Sequence, residues 1–136
     1  MLNLTRRTEY GLMAVLHMID SGENLVSAKE LSEIYNIPKE ILAKVLQRMA
    51  SGDIITAVKG ANGGYRLLAK PEKISLSRLI EVIEGPVGIV DCIAGRDKLC
   101  HPIRKCTIRN SMAAINQKIL AVMNEITLDK LHSGAL

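Results

Sequence analysis

The sequence predicts a mainly α-helical fold with one small β-hairpin and a long helix near the C-terminus, on three observations. Apolar residues recur at helical spacing over most of the 136 residues. Two short β-prone runs, about 54–59 and 64–69, flank the glycine-rich turn "GANGG". The composition is 48% hydrophobic and 24% charged, as in a globular chain, but 2% aromatic, with neither Phe nor Trp. The core is therefore left to Leu, Ile, Val and Met, which suit packed helices.

The first helix is expected over residues 5–20, with Thr5 suited to the N-cap and Gly22 to the stop. "SAKE" (27–30) reads as a capping box: Ser27 accepts from the Glu30 backbone N–H while the Glu30 side chain reaches back. It opens a short helix to about Tyr35, which "NIP" breaks. Pro38 suits the first turn of the next helix, where its missing N–H costs nothing, and Gly52 ends that helix. After the hairpin, Ser75 caps a helix over 75–84 whose Leu76, Leu79, Ile80 and Ile83 share one face; Gly85-Pro86 terminates it. Residues 86–105 read as a loop, and a loop of that length in a small domain implies a function. A last long helix is expected from near Cys106. Its Ile108, Met112, Ile115, Ile119, Val122 and Ile126 step by 4, 3, 4, 3 and 4, a narrow a/d seam of the kind that pairs two helices in a dimer. "TLDKL" (127–131) reads as a short terminal turn or helix.

Helix, capped short helix, tight turn, second helix and hairpin together make a winged helix-turn-helix. In such folds the helix after the turn enters the major groove of double-stranded DNA. Its buried stripe is expected to be Ile41, Leu42, Val45, Leu46 and Met49, with Lys39, Glu40, Ala43, Lys44, Gln47 and Arg48 on the other side. Lys, Gln and Arg donate to base edges and phosphates. A charged helix face is by itself most often only solvated, and the hairpin shifts that balance. Lys59 precedes its tip and Arg66 follows it, and Gly60, Asn62 and Gly63 would let the backbone approach a phosphate or a narrow minor groove. The scarcity of aromatics argues against single-stranded nucleic acid or RNA, where bases stack on aromatic side chains. The net charge of +4 is a mild excess that suits an anionic partner or plain solubility.

No span reaches the roughly 18 apolar residues of a membrane helix. "LMAVLHMI" (12–19) follows Arg6 and Arg7, but Glu9 and His17 interrupt it and no small-residue cleavage site follows. The expectation is a cytoplasmic protein whose cysteines stay reduced. All three lie in "DCIAGRDKLCHPIRKC" (91–106): seven residues separate Cys92 from Cys100, and five separate Cys100 from Cys106. Three clustered thiols in a reducing compartment read as metal ligands or as redox-sensing thiols. A loop rich in Gly, Asp and Lys is a poor place to bury them as small hydrophobes. The lack of a tight C-x₂₋₄-C pair disfavours zinc.

"LTRRTEYGLMAVLHM", "AKELSEIYNIPKEILAKVLQRM" and "VKGANGGYRLLAKPEKISLSRLIEVIEG", with "ITLDKL" near the end, resemble segment by segment the Rrf family of bacterial transcription regulators. The resemblance covers nearly the whole chain. It implies a homodimer that binds a near-palindromic operator and carries an iron–sulfur cluster, two-iron or four-iron, on Cys92, Cys100 and Cys106. The expected organisation is a winged helix-turn-helix domain over 1–85, a cluster loop over 86–105, and a dimerisation helix and tail over 106–136. A cluster takes four protein ligands, so the fourth comes from another residue type or another chain. Glu9, in "RRTEY", matches a first-helix carboxylate that in some family members ligates the other subunit's cluster. His101 is a lesser candidate, followed by Asp91, Asp97 and His132. Two features depart from the family pattern. Members with a histidine ligand carry it three residues after the last cysteine, where this chain has Arg109, and the first cysteine gap is longer than the second.

The alternative is a thiol-based redox regulator of the same fold without a cluster. An enzyme or electron carrier fits less well. The helix-turn-helix and wing take about half the chain, and no Ser-His-Asp arrangement, phosphate loop or paired-carboxylate motif stands out. His17, on an apolar face, reads as a satisfied core histidine rather than a base.

Overall fold

A computed structural model describes residues 2–96 and 105–136. The helices are α1 (Arg6–Ser21), α2 (Ala28–Tyr35), α3 (Lys39–Ser51), α4 (Leu76–Glu84), α5 (Arg109–Glu125) and α6 (Leu128–Ser133). Strands β1 (Ile55–Val58) and β2 (Gly64–Leu67) follow α3, and a single 3₁₀ turn (Pro71–Lys73) precedes α4. The strands pair antiparallel, with Ile55 opposite Leu67 and Val58 opposite Gly64. The result is the mainly helical winged fold that the sequence predicts.

The helix starts follow their capping chemistry. The hydroxyls of Thr5, Ser27 and Ser75 accept from the backbone N–H groups of Thr8, Glu30 and Arg78, satisfying donors that a first turn leaves orphaned. The Ser27 half of the capping box forms. The Glu30 carboxylate instead lies 3.7 Å from His17 Nε2, and the other ring nitrogen of His17 is 3.0 Å from the Tyr35 hydroxyl. His17 thus joins α1 to α2: it is satisfied, but half-buried beside α2 and not the core histidine the sequence suggests. The turn between α2 and α3 is equally local. Asn36 takes the left-handed conformation at φ 51°, which Asn tolerates. The Ser32 hydroxyl donates to the Ile37 carbonyl at 2.7 Å, Ile37 is buried, and Pro38 stands at the N-cap of α3.

One core joins α1 to α4, the hairpin and α6. Ala14, Val15 and Met18 of α1 meet Leu42, Val45, Leu46 and Met49 of α3 and Leu79 and Ile83 of α4, with Leu31, Ile54 and Ile55 completing the cluster. Leu128 of α6 is fully buried in it, so the chain end packs back against the first helices. The Leu128 N–H donates to the Ile74 carbonyl at 2.9 Å, and the Leu76 N–H donates to the Ile126 carbonyl at 2.8 Å. His132 Nε2 lies 2.6 Å from an Asp20 carboxylate oxygen. The Thr127 hydroxyl donates to Asp129 and holds that carboxyl below the usual carboxylate range. Among the described residues no helix is long and apolar enough to cross a membrane.

Helix α1 crosses α4 at Gly11, where an added Cβ would come within 2.3 Å of the Ile83 side chain. Gly11→Val should force these helices apart and lower stability by about 1–3 kcal/mol, the usual cost of overpacking. Urea unfolding followed by circular dichroism measures it, and an unchanged midpoint would show that Ile83 moves aside freely.

Three expectations need correction. Ile41 is not in the buried stripe of α3 but 36% exposed. At roughly 100° per residue it sits at the edge of the stripe, next to Lys44. The last helix begins at Arg109, three residues after Cys106. Ile108 is its N-cap residue and lies outside it; Thr107 and Ile108 are both β-branched and weak helix formers. The seam also divides into two rows. Ile108, Ile115 and Val122 are exposed, whereas Met112, Ile119 and Ile126 are half-buried toward the rest of the chain.

Candidate nucleic-acid interface and cysteine loop

Helix α3 is held from behind and bare in front. Leu42, Val45, Leu46 and Met49 are fully buried, so the remaining face is set in place by the core. Lys39, Glu40, Ala43, Lys44, Gln47 and Arg48 are all exposed on it. Arg48 does more than face solvent. Its Nη1 donates to the Ile83 carbonyl at 2.7 Å, tying α3 to the last turn of α4.

The hairpin projects after α3 with Lys59, Gly60, Ala61 and Asn62 exposed at its tip. Gly60 has φ +122°, which side chains resist. At Gly63 an added Cβ would sit 2.1 Å from the Val58 carbonyl oxygen, so the hairpin's own backbone requires glycine there. The base of the wing is anchored by a bridge between Val26 and Tyr65, with both N–H···O bonds at 2.8 Å. Arg66 Nη1 lies 3.7 Å from Glu23, which partly occupies that charge.

Two basic residues join this surface that the sequence reading left out of it. Arg7 lines a shallow cleft with Lys44, Gln47, Arg48 and Ser51, and Arg6 and Arg7 line an adjoining one with Ile41 and Lys44. The first turn of α1 therefore extends the basic face of α3. A signal was present: two arginines at a helix N-terminus oppose the macrodipole, so something other than helix stability favours them.

The thiols lie elsewhere. Cys92 sits in the Asp91–Gly95 turn and Cys106 just before α5; both are half-buried and free. The turn is closed by the Ala94 N–H donating to the Val90 carbonyl at 3.1 Å and the Arg96 N–H to the Asp91 carbonyl at 2.7 Å. Asp91 is occupied by Arg96 Nε at 3.1 Å, and His132 by Asp20. Cys100, His101 and Asp97 lie outside the described residues. Glu9 accepts from Arg6 Nη1 at 2.7 Å, and its side chain is 36% exposed. Among the described residues no group of three or more His, Cys, Asp or Glu side chains could hold a metal ion. The two described thiols are of the soft donor type that iron–sulfur groups take, and neither is consumed by a disulfide.

A helical body with a buried-backed helix, a basic cleft beside it and a projecting hairpin defines a winged helix-turn-helix protein. The family model for Rrf2, iron-dependent transcriptional regulators, matches residues 4–134, and the chain belongs to that family. It is similar in structure to CymR (YrzC), the global cysteine regulator of B. subtilis, with a TM-score of 0.76 and 24% identity over 98% of each chain. It is also similar to T. potens IscR, with a TM-score of 0.75 and 22% identity over 99% of this chain and 89% of that one. Staphylococcus aureus CymR in its oxidized form matches with a TM-score of 0.71 and 22% identity over 96% of each chain.

Proposed function

We propose that this protein is a homodimeric transcription regulator that binds near-palindromic double-stranded DNA, with its affinity controlled by an iron–sulfur cluster. The cluster would be held by Cys92, Cys100, Cys106 and a fourth, non-cysteine ligand. The observation that carries the reading is the pairing of an exposed basic helix face and wing with two free thiols, one in the Asp91–Gly95 turn and one just before α5. Helix α3 would present Lys44 and Gln47 to the major groove while Lys59, at the wing, and Arg7, at the start of α1, reach the backbone on either side. When bound, the cluster supplies a redox-responsive link at the loop. Cys106 leads into α5, whose exposed row would form the dimer contact, so a change at the loop would be felt in the spacing of the two recognition helices. Dimeric readers need that spacing near 34 Å or a multiple of it.

A thiol-based redox regulator is the second reading, favoured by the free and only half-buried state of Cys92 and Cys106, which leaves both open to oxidants. Purification without oxygen, an absorption spectrum and an iron count separate the two. The cluster reading expects a brown protein with stoichiometric iron; a colourless, iron-free protein that still binds DNA supports the thiol reading.

The DNA surface has its own test. Lys59→Ala and Arg7→Ala should each weaken binding to all sequences and reduce the salt slope by about one. Gln47→Ala should relax base preference, costing about 1–3 kcal/mol at the position it reads. No loss from any of the three would move the DNA surface elsewhere.

A further inference from the structure

Helix α5 carries one buried side chain that packing does not explain. Asn116 is 4% exposed in the middle of a helix, where Asn is a poor helix former and a buried amide is costly unless bonded. Its neighbours on that face, Met112, Ile119, Leu120 and Met123, are half-buried and apolar. Both ends of the amide are used. Asn116 Oδ1 accepts from the Ile89 N–H at 3.1 Å, and Nδ2 donates to the Val87 carbonyl at 3.2 Å. The side chain therefore grips the backbone on both sides of Gly88, as a partner strand would.

Gly88 is the other half of the arrangement. An added Cβ there would meet the Ala94 backbone nitrogen at 2.4 Å and its Cα at 2.8 Å. The 86–89 segment therefore lies directly against the turn that holds Cys92, and Ala94 is 5% exposed beneath it. The order of contact runs from α5 through Asn116 to Val87 and Ile89, across Gly88 to Ala94, and so to Cys92. Cys106 reaches the same helix from its N-terminal end, three residues before Arg109.

We propose that Asn116 is the positioning residue for Cys92: by clamping the backbone on both sides of Gly88 it fixes the Cys92 turn on the helix into which Cys106 leads, so that both thiols are held in one frame. An apolar residue would fill the same space without gripping the segment. This rests on the reading that Cys92 and Cys106 serve one site, whether that site holds a cluster or acts through the thiols alone.

The test is the rate of iodoacetamide alkylation at each thiol, followed by peptide mass spectrometry on the reduced full-length protein with its iron chelated. Asn116→Ala removes both bonds and should raise the Cys92 rate about tenfold, as for a locally opened segment, and change the Cys106 rate by less than about twofold. Asn116→Asp keeps the oxygen that accepts from Ile89 but sets a second carboxylate oxygen against the Val87 carbonyl at a buried position, so its increase should be at least as large. Gly88→Ala, which leaves α5 untouched, should reproduce the Cys92-selective rise. An unchanged Cys92 rate in folded Asn116→Ala and Gly88→Ala overturns the proposal. So does an equal rise at both thiols, which would mean general loosening. Should Asn116→Ala fail to fold, Asn116→Asp and Gly88→Ala decide the matter by the same two rates. The iron count of the unmodified protein is independent of these rates: an iron-free protein overturns the cluster reading and leaves the clamp standing, and an iron-loaded one with unaltered alkylation in the variants does the reverse.

Discussion

Replacing Ile115 and Val122 together with Glu should convert the proposed dimer to monomers. Both side chains stand on the exposed row of α5, 42% and 59% exposed in the single chain, seven residues apart and so two turns along one face. Ile108, at 55%, extends the row beyond the helix start. Soluble proteins seldom leave such a row of large aliphatic side chains uncovered, and a heptad-spaced row fits a second copy of the same helix. Two carboxylates set there would be desolvated against apolar partners or against each other. The cost to association should be about 3 kcal/mol or more, roughly a hundredfold or greater in the dimer dissociation constant. Operator affinity should fall with it, because each monomer reads a single half-site. The thermal midpoint of the protomer should change little, since neither side chain belongs to its core. Ile119→Glu is a poorer probe than the seam spacing suggests: Ile119 is half-buried and lines an apolar cleft with Met123 and Val87 of the same chain. Analytical sedimentation is the measurement, and a double variant that remains dimeric would place the dimer contact elsewhere.

On the proposed cluster reading, changing any one of Cys92, Cys100 or Cys106 to Ala should abolish visible absorbance and bound iron in protein prepared without oxygen. A cluster bound by four ligands is lost or labile when a thiolate is removed. The effect should be close to complete rather than graded, and the fold should survive it, because the two described thiols are half-buried and outside the core. The rival reading makes a different pattern: no iron in the unmodified protein, and oxidant-sensitive DNA binding that disappears in the same variants. The fourth ligand is tested by Glu9→Ala against His101→Ala. Glu9 should matter more if the cluster bridges subunits, and its recruitment must compete with the 2.7 Å pair to Arg6. Since Arg6 lines the basic cleft with Lys44, a released Arg6 would add to the DNA-facing charge. A spectrum altered by His101→Ala and indifferent to Glu9→Ala would make the ligation local to one chain and remove that link.

Signals contained within four or five residues were legible in the sequence. Thr5, Ser27 and Ser75 cap where hydroxyls precede apolar runs, Gly22 and Gly85 end helices, and Pro38 opens α3. These depend on backbone donors a turn away, so the neighbours in sequence carry them. Less legible was anything set by which helix lies against which. Arg48 looked like a DNA ligand, and whether it reaches the Ile83 carbonyl depends on how close α4 comes. In the sequence Arg6 and Arg7 only flank an apolar segment; it is the placing of α1 beside α3 that sets them next to Lys44. Leu128 looked like part of a tail, and it is in the core.

By itself the sequence determined the winged helix-turn-helix order, most of the exposed face of α3, the grouping of three cysteines within residues 92–106, and the apolar spacing of the last long helix. Periodicity and capping are one-dimensional properties of the chain, and these features follow from them. Tertiary structure alone decided which half of that apolar spacing is free for a partner, since the 4, 3, 4, 3 pattern is the same whether one row or both face outward. It alone showed that Asn116, an unremarked residue between Ile115 and Gln117, reaches across to Val87 and Ile89. A hydrogen bond between groups 27 and 29 residues apart leaves no periodic trace, because its geometry exists once the core has brought the two segments together.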